Sequence, residues 1–206
     1  MLISDDDRRR IAEAITAAEA KTSGEIVAVI APSSASYLHV PFLWAALVAL
    51  ILPWPFIYGT WWPVQHVYLL QLGVFAALAF LLMHWPLRLA LVPRSAKHAR
   101  AHRRALEQFL AQNLHTTVGR TGVLIFVSVA ERYAEIIADA GIHQRVPDDA
   151  WANIINDLTA RIGEGEATQG FVSAIAAVGD LLARHFPPQP RPVEALGNHL
   201  IVLPPG

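Results

Sequence analysis

The sequence predicts a soluble α/β domain interrupted by an inserted two-helix transmembrane hairpin, and three observations lead to this prediction. First, no Asp, Glu, Lys or Arg occurs from Ile26 to Leu87 in a chain of 206 residues. Second, short runs rich in β-branched residues, typical of strands, stand before and after the apolar part of that segment. Third, the segments around these runs carry apolar residues at helical spacing.

The uncharged segment is 62 residues long, whereas one helical crossing of a bilayer needs about 20 residues. It therefore predicts two membrane helices, near Val40–Thr60 and Val64–Val92, joined by a turn at Gly59–Pro63. Two crossings return the chain to its starting side. Residues 38–92 are thus predicted to be the inserted hairpin, and residues 1–37 and 93–206 to form one discontinuous soluble domain.

Prolines interrupt both apolar spans. Pro53 and Pro55 are predicted to kink the first helix or to end it early, and Pro86 to do the same near the end of the second. Tryptophans and tyrosines cluster mainly toward the span ends, as interfacial anchors do. A two-helix hairpin without internal charge is typical of an anchor rather than of a transporter.

The charges that flank the hairpin predict its orientation. Basic residues crowd the exit from Arg88 to Arg104, whereas the connecting turn carries no charge. By the positive-inside rule, both termini are expected in the cytoplasm, which makes this a multi-pass protein of the cell inner membrane. The N-terminus lacks the basic and apolar regions of a signal peptide. The same basic cluster is also compatible with a phosphate or lipid-headgroup site.

Composition excludes several classes of function. The formal net charge is −1, which argues against a general nucleic-acid binder. The chain has no cysteine, so thiolate catalysis, disulfides and cysteine-ligated zinc are excluded.

Local patterns predict the elements of the soluble part. Ser4, followed by three aspartates, is typical of a helix N-cap, and that helix should end near Ser23–Gly24. Leu200–Leu203 are predicted to add a short edge strand. The other predicted elements are a strand at Glu25–Ile30, a helix at Arg94–Asn113, a hairpin of Val123–Val129 with Tyr133–Asp139, a helix capped by Asp148 that runs to Ile162, and a helix at Glu166–His185.

An ordered set of motifs resembles the TPM-domain family, whose members include a thylakoid-lumen phosphatase-like protein. The set consists of Arg120–Ile125, Ala130–Arg132 and Ile137–Ile142, and it is most similar to the bacterial TPM-domain membrane proteins. The resemblance implies a three-layer α/β sandwich with a small mixed sheet. The family's Gly-Leu-Glu-Gly loop corresponds to Gly141–Gln144, where His143 replaces the glutamate and Gln144 the second glycine.

The loop after the second strand of the hairpin carries the candidate site. Asp139, His143 and Asp148 lie on it, with Glu131 and Arg120 expected nearby. Acids beside a histidine are suited to binding a divalent cation such as calcium or to positioning water. The alternative interpretation is structural: Asp139 ends a strand, Asp148 caps a helix, and His143 is a solvated loop residue.

Two functions remain open at this stage. The first is an integral membrane protein with a cytoplasmic TPM-like domain, which serves as an interaction or assembly module in the cell envelope. Its partners would be the lipid bilayer and other membrane proteins, and it needs no catalytic site. The second is a membrane-anchored, divalent-metal-dependent phosphatase-like hydrolase that uses Asp139, His143 and Asp148 as metal ligands.

Overall fold

Two seven-residue strands form the parallel centre of a small sheet. Glu25 pairs with Gly122 and Ala31 with Ser128, so the strands are aligned over their whole length. Nearly every residue of both strands is buried, which explains their almost continuous apolar sequences. A computed structural model describes residues 3–117, 119–147, 149–188 and 197–205, with the backbone alone at 85–87.

The described elements are numbered in chain order. The strands are β1 (Glu25–Ala31), β2 (Gly122–Ser128), β3 (Tyr133–Ala138) and β4 (Ile201–Val202). The helices are α1 (Asp5–Glu19), α2 (His39–Ile51), α3 (Pro53–Gly59), α4 (Val64–Leu82), α5 (Trp85–Ala90), α6 (Arg94–Ala111), α7 (Ala140–His143), α8 (Asp149–Gly163) and α9 (Ala167–His185), with a 3-10 turn at Leu114–Thr116.

The strand order is β3-β2-β1-β4. β3 runs antiparallel to β2 as a hairpin partner, and β4 runs parallel to β1 at the other edge. The predictions of a mixed sheet in an α/β fold and of a short C-terminal edge strand are therefore confirmed. Helices cover both faces of β1 and β2. Their buried backbone N–H and C=O groups cannot bond to water and therefore pair between the strands.

Helices cover both faces of the sheet. On one face α1, α8 and α9 pack against side chains such as Ile26, Ile125 and Val127. On the other face Ala101, Ala105 and Phe109 of α6 pack against β1 and β2, because they recur at helical spacing. The small side chains allow α6 to approach the sheet closely.

The first helix begins as predicted. Ser4 Oγ accepts a hydrogen bond from the Asp7 backbone N–H at 3.2 Å, and Asp7 Oδ2 accepts one from the Ser4 N–H at 3.1 Å. This reciprocal pair is a capping box. The helix ends at Glu19, earlier than the predicted Ser23–Gly24, because the chain already turns at Ala20 toward β1.

The chain divides into two compact units, Met1–Ser34 with His98–Gly206 and Ala35–Lys97. In the second unit, α2 and α4 pack against each other, and the buried residues of these helices are mostly small: Pro41, Ala45, Ala49, Val67 and Ala79. Small residues let two helix backbones approach. Most of the remaining apolar surface of this unit is exposed.

Two helical stretches of the second unit are long and apolar enough to cross a bilayer. His39–Gly59 has a mean hydropathy of 2.1 over its best window and Val64–Leu82 one of 1.7. Leu52 has helical φ and ψ angles, so Pro53 begins α3 without ending the stretch. The second helix ends at Leu82, before the predicted Val92, and Pro86 lies in the first turn of a separate helix, α5.

Candidate functional site

The carboxyl ends of β1 and β2 meet at a buried glutamate. Glu131 Oε1 and Oε2 accept hydrogen bonds from the Ser34 backbone N–H at 3.0 and 3.2 Å. Ser128 Oγ donates to Glu131 Oε2, and Ser34 Oγ donates to Ser128 Oγ at 2.7 Å. All three residues are buried, with Glu131 only 4% exposed. We call Ser34, Ser128 and Glu131 the Glu131 cluster.

Backbone hydrogen bonds fix the turn that carries Glu131. The Val129 N–H donates to the Ala31 carbonyl and the Ala130 N–H to the Pro32 carbonyl, both at 3.0 Å. Arg132 closes the turn with a left-handed φ of 50°. The turn between β2 and β3 is thereby tied to the segment that leaves β1, and the Arg132 side chain remains exposed.

A cleft of about 410 Å³ lies beside this turn, between the end of β2, the start of β3 and the C-terminal part of α8. Val127, Ala134 and Ile162 make much of its wall apolar, whereas Arg132 and Thr159 add polar groups. Arg132 makes no side-chain hydrogen bond or ion pair with another described residue. This strand-end cleft can therefore receive an apolar group that carries a negative charge. The packing of α8 against the sheet creates it, and no sequence motif marks it.

The predicted loop site lies at the opposite end of the sheet. Asp139 is 5% exposed, and its Oδ2 lies 3.0 Å from Arg120 Nε. Its Oδ1 accepts a hydrogen bond from the Ala140 N–H at 2.7 Å, which caps α7. The segment predicted as a loop thus contains one turn of helix. The Asp139 carboxylate thus has two partners, the Arg120 guanidinium and the Ala140 N–H.

Of the other two predicted ligands, the structure describes only His143, whose backbone N–H donates to the Asp139 carbonyl at 3.1 Å. His143 is exposed at the end of α7, and Asp148 lies outside the described residues. Among the residues that the structure describes, no three His, Asp or Glu side chains are grouped to hold a metal ion. The metal site therefore stays a prediction.

Of the two residues expected near the loop, one is correctly placed and one is not. Arg120 contacts Asp139, but Glu131 lies at the other end of β2. A strand of seven residues spans about 20 Å at ~3.3 Å per residue. The expectation for Glu131 was wrong because β2 and β3 form an antiparallel hairpin, which places its turn and its two open ends at opposite edges of the sheet.

Comparison with known proteins identifies the domain. The family model for the TPM domain matches residues 84–181, which include α6, β2, β3 and the strand-end cleft. The chain contains a TPM domain. No curated protein matches the chain.

One solved structure resembles the TPM-domain protein described here over nearly its whole length. It is the NMR structure of the BA42 protein from the psychrophilic bacterium Bizionia argentinensis, with a TM-score of 0.61 and 21% sequence identity. The similarity covers 97% of this chain and 94% of that protein. At this level of identity, the likeness shows a shared fold.

Proposed function

We propose that this TPM-domain protein is an integral membrane protein, anchored by residues 38–92. The supporting observation is the exposure of the two apolar stretches: only 17% of the His39–Gly59 window and 11% of the Val64–Leu82 window are buried. Leu50 is 70% exposed and Phe80 80%. A core helix of a soluble domain would bury these side chains, whereas lipid can cover them.

We further propose that the hairpin sits in the inner membrane with both termini in the cytoplasm. The support is the charge asymmetry, because α6 carries several Lys and Arg residues directly after the hairpin and the turn at Gly59–Pro63 carries none. Residues 1–37 and 93–206 then form one cytoplasmic domain interrupted by the anchor.

The TPM domain is proposed to act as an interaction or assembly module for other proteins of the envelope. The strand-end cleft supports this role, since it offers apolar wall residues beside the exposed cation of Arg132. A partner segment with an apolar side chain next to a carboxylate matches this chemistry. The Glu131 cluster holds the rim of the cleft in place.

A phosphatase-like hydrolase is the second candidate, because the cleft lies at the carboxyl end of β2, one of the two parallel strands, and α/β proteins commonly bind ligands at such strand ends. Turnover of a phosphate ester in the presence of calcium, magnesium or manganese tests this candidate directly. We expect none. Turnover that is lost in an Arg132→Gln variant would favour a hydrolase that uses the cleft, whereas turnover lost in Asp139→Asn would favour the predicted loop site at the other end of the sheet.

The anchor is tested by alkaline carbonate extraction of membranes. A charge at the centre of a membrane helix costs about 2.5–3.5 kcal/mol, so Leu50→Arg should shift protein from the membrane to the soluble fraction. Leu106→Arg is the matched control, since Leu106 is 40% exposed on α6, outside the hairpin. Complete extraction of the wild-type protein would contradict anchoring.

Reporter fusions test the orientation. A reporter in the turn at Trp62 and one after Gly206 should report opposite sides of the membrane, with the C-terminal reporter in the cytoplasm. Two reporters on the same side would rule out the hairpin topology.

The cleft is tested with a photo-crosslinking amino acid at Thr159, which lines it. We expect a discrete crosslinked product in membranes that disappears when Ala134→Phe fills the cleft. The same crosslinker at Glu164, which is exposed outside the cleft, serves as the control. Identical products from both positions would contradict a specific docking site.

A further inference from the structure

Two histidines of α6 lie over the edge strand β3. His102 Nδ1 is 2.9 and 3.0 Å from the two carboxylate oxygens of Glu135. The ring of His98 lies 5.1 Å, between centroids, from the ring of Tyr133. Tyr133 Oη in turn donates a hydrogen bond to Glu135 Oε2 at 3.0 Å. These four side chains form one continuous cluster on the face of the sheet that α6 covers.

Glu135 determines which nitrogen of His102 is free to bind. An ionised carboxylate only accepts hydrogen bonds, so His102 Nδ1 must carry a proton to bond with it. In the neutral ring, the lone pair is then on Nε2. The side chain of His102 is 49% exposed, so solvent ions can reach the ring. A carboxylate on one imidazole nitrogen and a metal on the other is the usual arrangement around metal-binding histidines.

His98 stands one helical turn before His102. Side chains four residues apart on a helix have Cβ atoms about 5–6 Å apart and share one face. Both histidines are exposed. Of the nine histidines in the sequence, only these two are four residues apart. This spacing lets two imidazoles bind one ion, as in helical zinc motifs.

We propose that His98 and His102 form a two-histidine site for a transition-metal dication such as Zn²⁺, with Glu135 as the positioning residue that orients His102. Water completes the coordination. The site contains two direct ligands and is therefore compatible with the lack of a three-residue group among the described residues. Imidazole ligands favour Zn²⁺, Cu²⁺ or Ni²⁺, whereas Ca²⁺ and Mg²⁺ prefer oxygen ligands.

The environment of Glu135 supports the orienting role. The Tyr133 hydroxyl donates to Glu135 Oε2, and His102 Nδ1 lies 2.9 and 3.0 Å from the two oxygens of the same carboxylate. Because the Tyr133 hydroxyl fixes the Glu135 carboxylate, the carboxylate can keep the His102 ring in one orientation. The proposal concerns residues outside the hairpin and does not depend on membrane anchoring.

Calorimetry of the full chain in detergent, after removal of any affinity tag, tests the site. We expect one Zn²⁺ per chain and no comparable binding of Ca²⁺. His98→Gln and His102→Gln should each abolish saturable Zn²⁺ binding. Glu135→Gln should weaken it about 10–100-fold, as changes in such outer partners do. His199→Gln, an exposed histidine near β4, should bind as the wild type does.

A spectroscopic readout separates ligation from a structural effect. With Cu²⁺ as the probe, electron paramagnetic resonance should show coupling to two imidazole nitrogens in the wild type and to one in His98→Gln. Thermal unfolding of each variant checks that it is folded. Absence of Zn²⁺ binding in the wild type, or wild-type affinity in His98→Gln and His102→Gln, would overturn the site. Wild-type affinity in Glu135→Gln would overturn the orienting role.

Discussion

Both carboxylate oxygens of Glu131 lie within hydrogen-bonding distance of the backbone N–H of Ser34, at 3.0 and 3.2 Å. Ser34 is the last residue of the first compact unit before the second compact unit begins at Ala35. Through these hydrogen bonds, Glu131 connects the turn between β2 and β3 to the segment in which the chain leaves β1. The same turn carries Arg132 at the strand-end cleft.

Glu131→Ala should lower the free energy of unfolding by about 2–4 kcal/mol, because it leaves the buried Ser34 N–H and Ser128 hydroxyl without their acceptor. Denaturant unfolding in detergent measures the change. Glu164→Ala, at an exposed position, should stay within about 0.5 kcal/mol of the wild type. Equal stability of the two variants would show that the cluster is not structural.

Asp139 is expected to act as a helix cap and ion-pair partner. Asn caps helices about as well as Asp, so Asp139→Asn should retain most of the stability that Asp139→Ala loses, about 1 kcal/mol. The ion pair with Arg120 adds little, since the Arg120 side chain is 59% exposed. Thermal unfolding of the wild type, Asp139→Asn and Asp139→Ala measures their order of stability. A calcium response that disappears in Asp139→Asn would instead support a metal role.

Gly179→Ala should destabilise the protein because α9 meets α1 at this residue. An added Cβ would lie 2.6 Å from Ala18 Cβ, so the two helices would have to separate, at a cost of about 1–3 kcal/mol. Gly163→Ala is the matched control, since nothing lies within 4 Å of its added Cβ. We expect its unfolding midpoint to be unchanged or raised. A neutral Gly179→Ala would mean that α1 does not hold this position.

Asp7 should make the stability depend on pH in the acid range. Hydrogen bonds from Ser4, and then from Thr168, hold the pKa of Asp7 below its ordinary value of 3.8. A lowered pKa in the folded state stabilises the protein above the ordinary pKa, and this contribution disappears as the pH falls through the lower folded-state pKa. The stability difference between wild type and Asp7→Asn should therefore shrink on acidification. Denaturant unfolding at neutral and at acid pH measures this difference, and an unchanged difference would contradict the role of Asp7.

Sequence patterns located most elements because each pattern has a local cause. The apolar runs that became β1 and β2 are continuous since both faces are buried, and Ser4 with Asp7 marks the start of α1 through a local bond. The single turn of α7 was missed because four residues give no periodicity. Its only signal was Asp139, which the structural interpretation already treated as a strand end.

The site was harder to predict because it depends on which elements meet. The β2–β3 hairpin alone implies that Glu131, in its turn, and Asp139, at its open end, lie apart. The expectation that Glu131 lies near Asp139 could therefore have been avoided. The strand-end cleft depends on the packing of α8 and leaves no mark in the sequence. The spacing of His98 and His102 is visible in the sequence, but their pairing with Glu135 requires the register of α6 over β3.

The register of the sheet also sets an order of events during translation. β1 pairs residue for residue with β2, yet its partner follows about 100 residues later, which takes about 5–20 s at 5–20 residues per second. During that interval the ribosome makes the entire apolar segment of residues 38–92. The only other helix or strand already made that can pack against β1 is α1. β1 and β2 cannot pair until residues 38–92 have left the ribosome. A delay at this stage therefore leaves the apolar strand β1 unpaired and prone to aggregation.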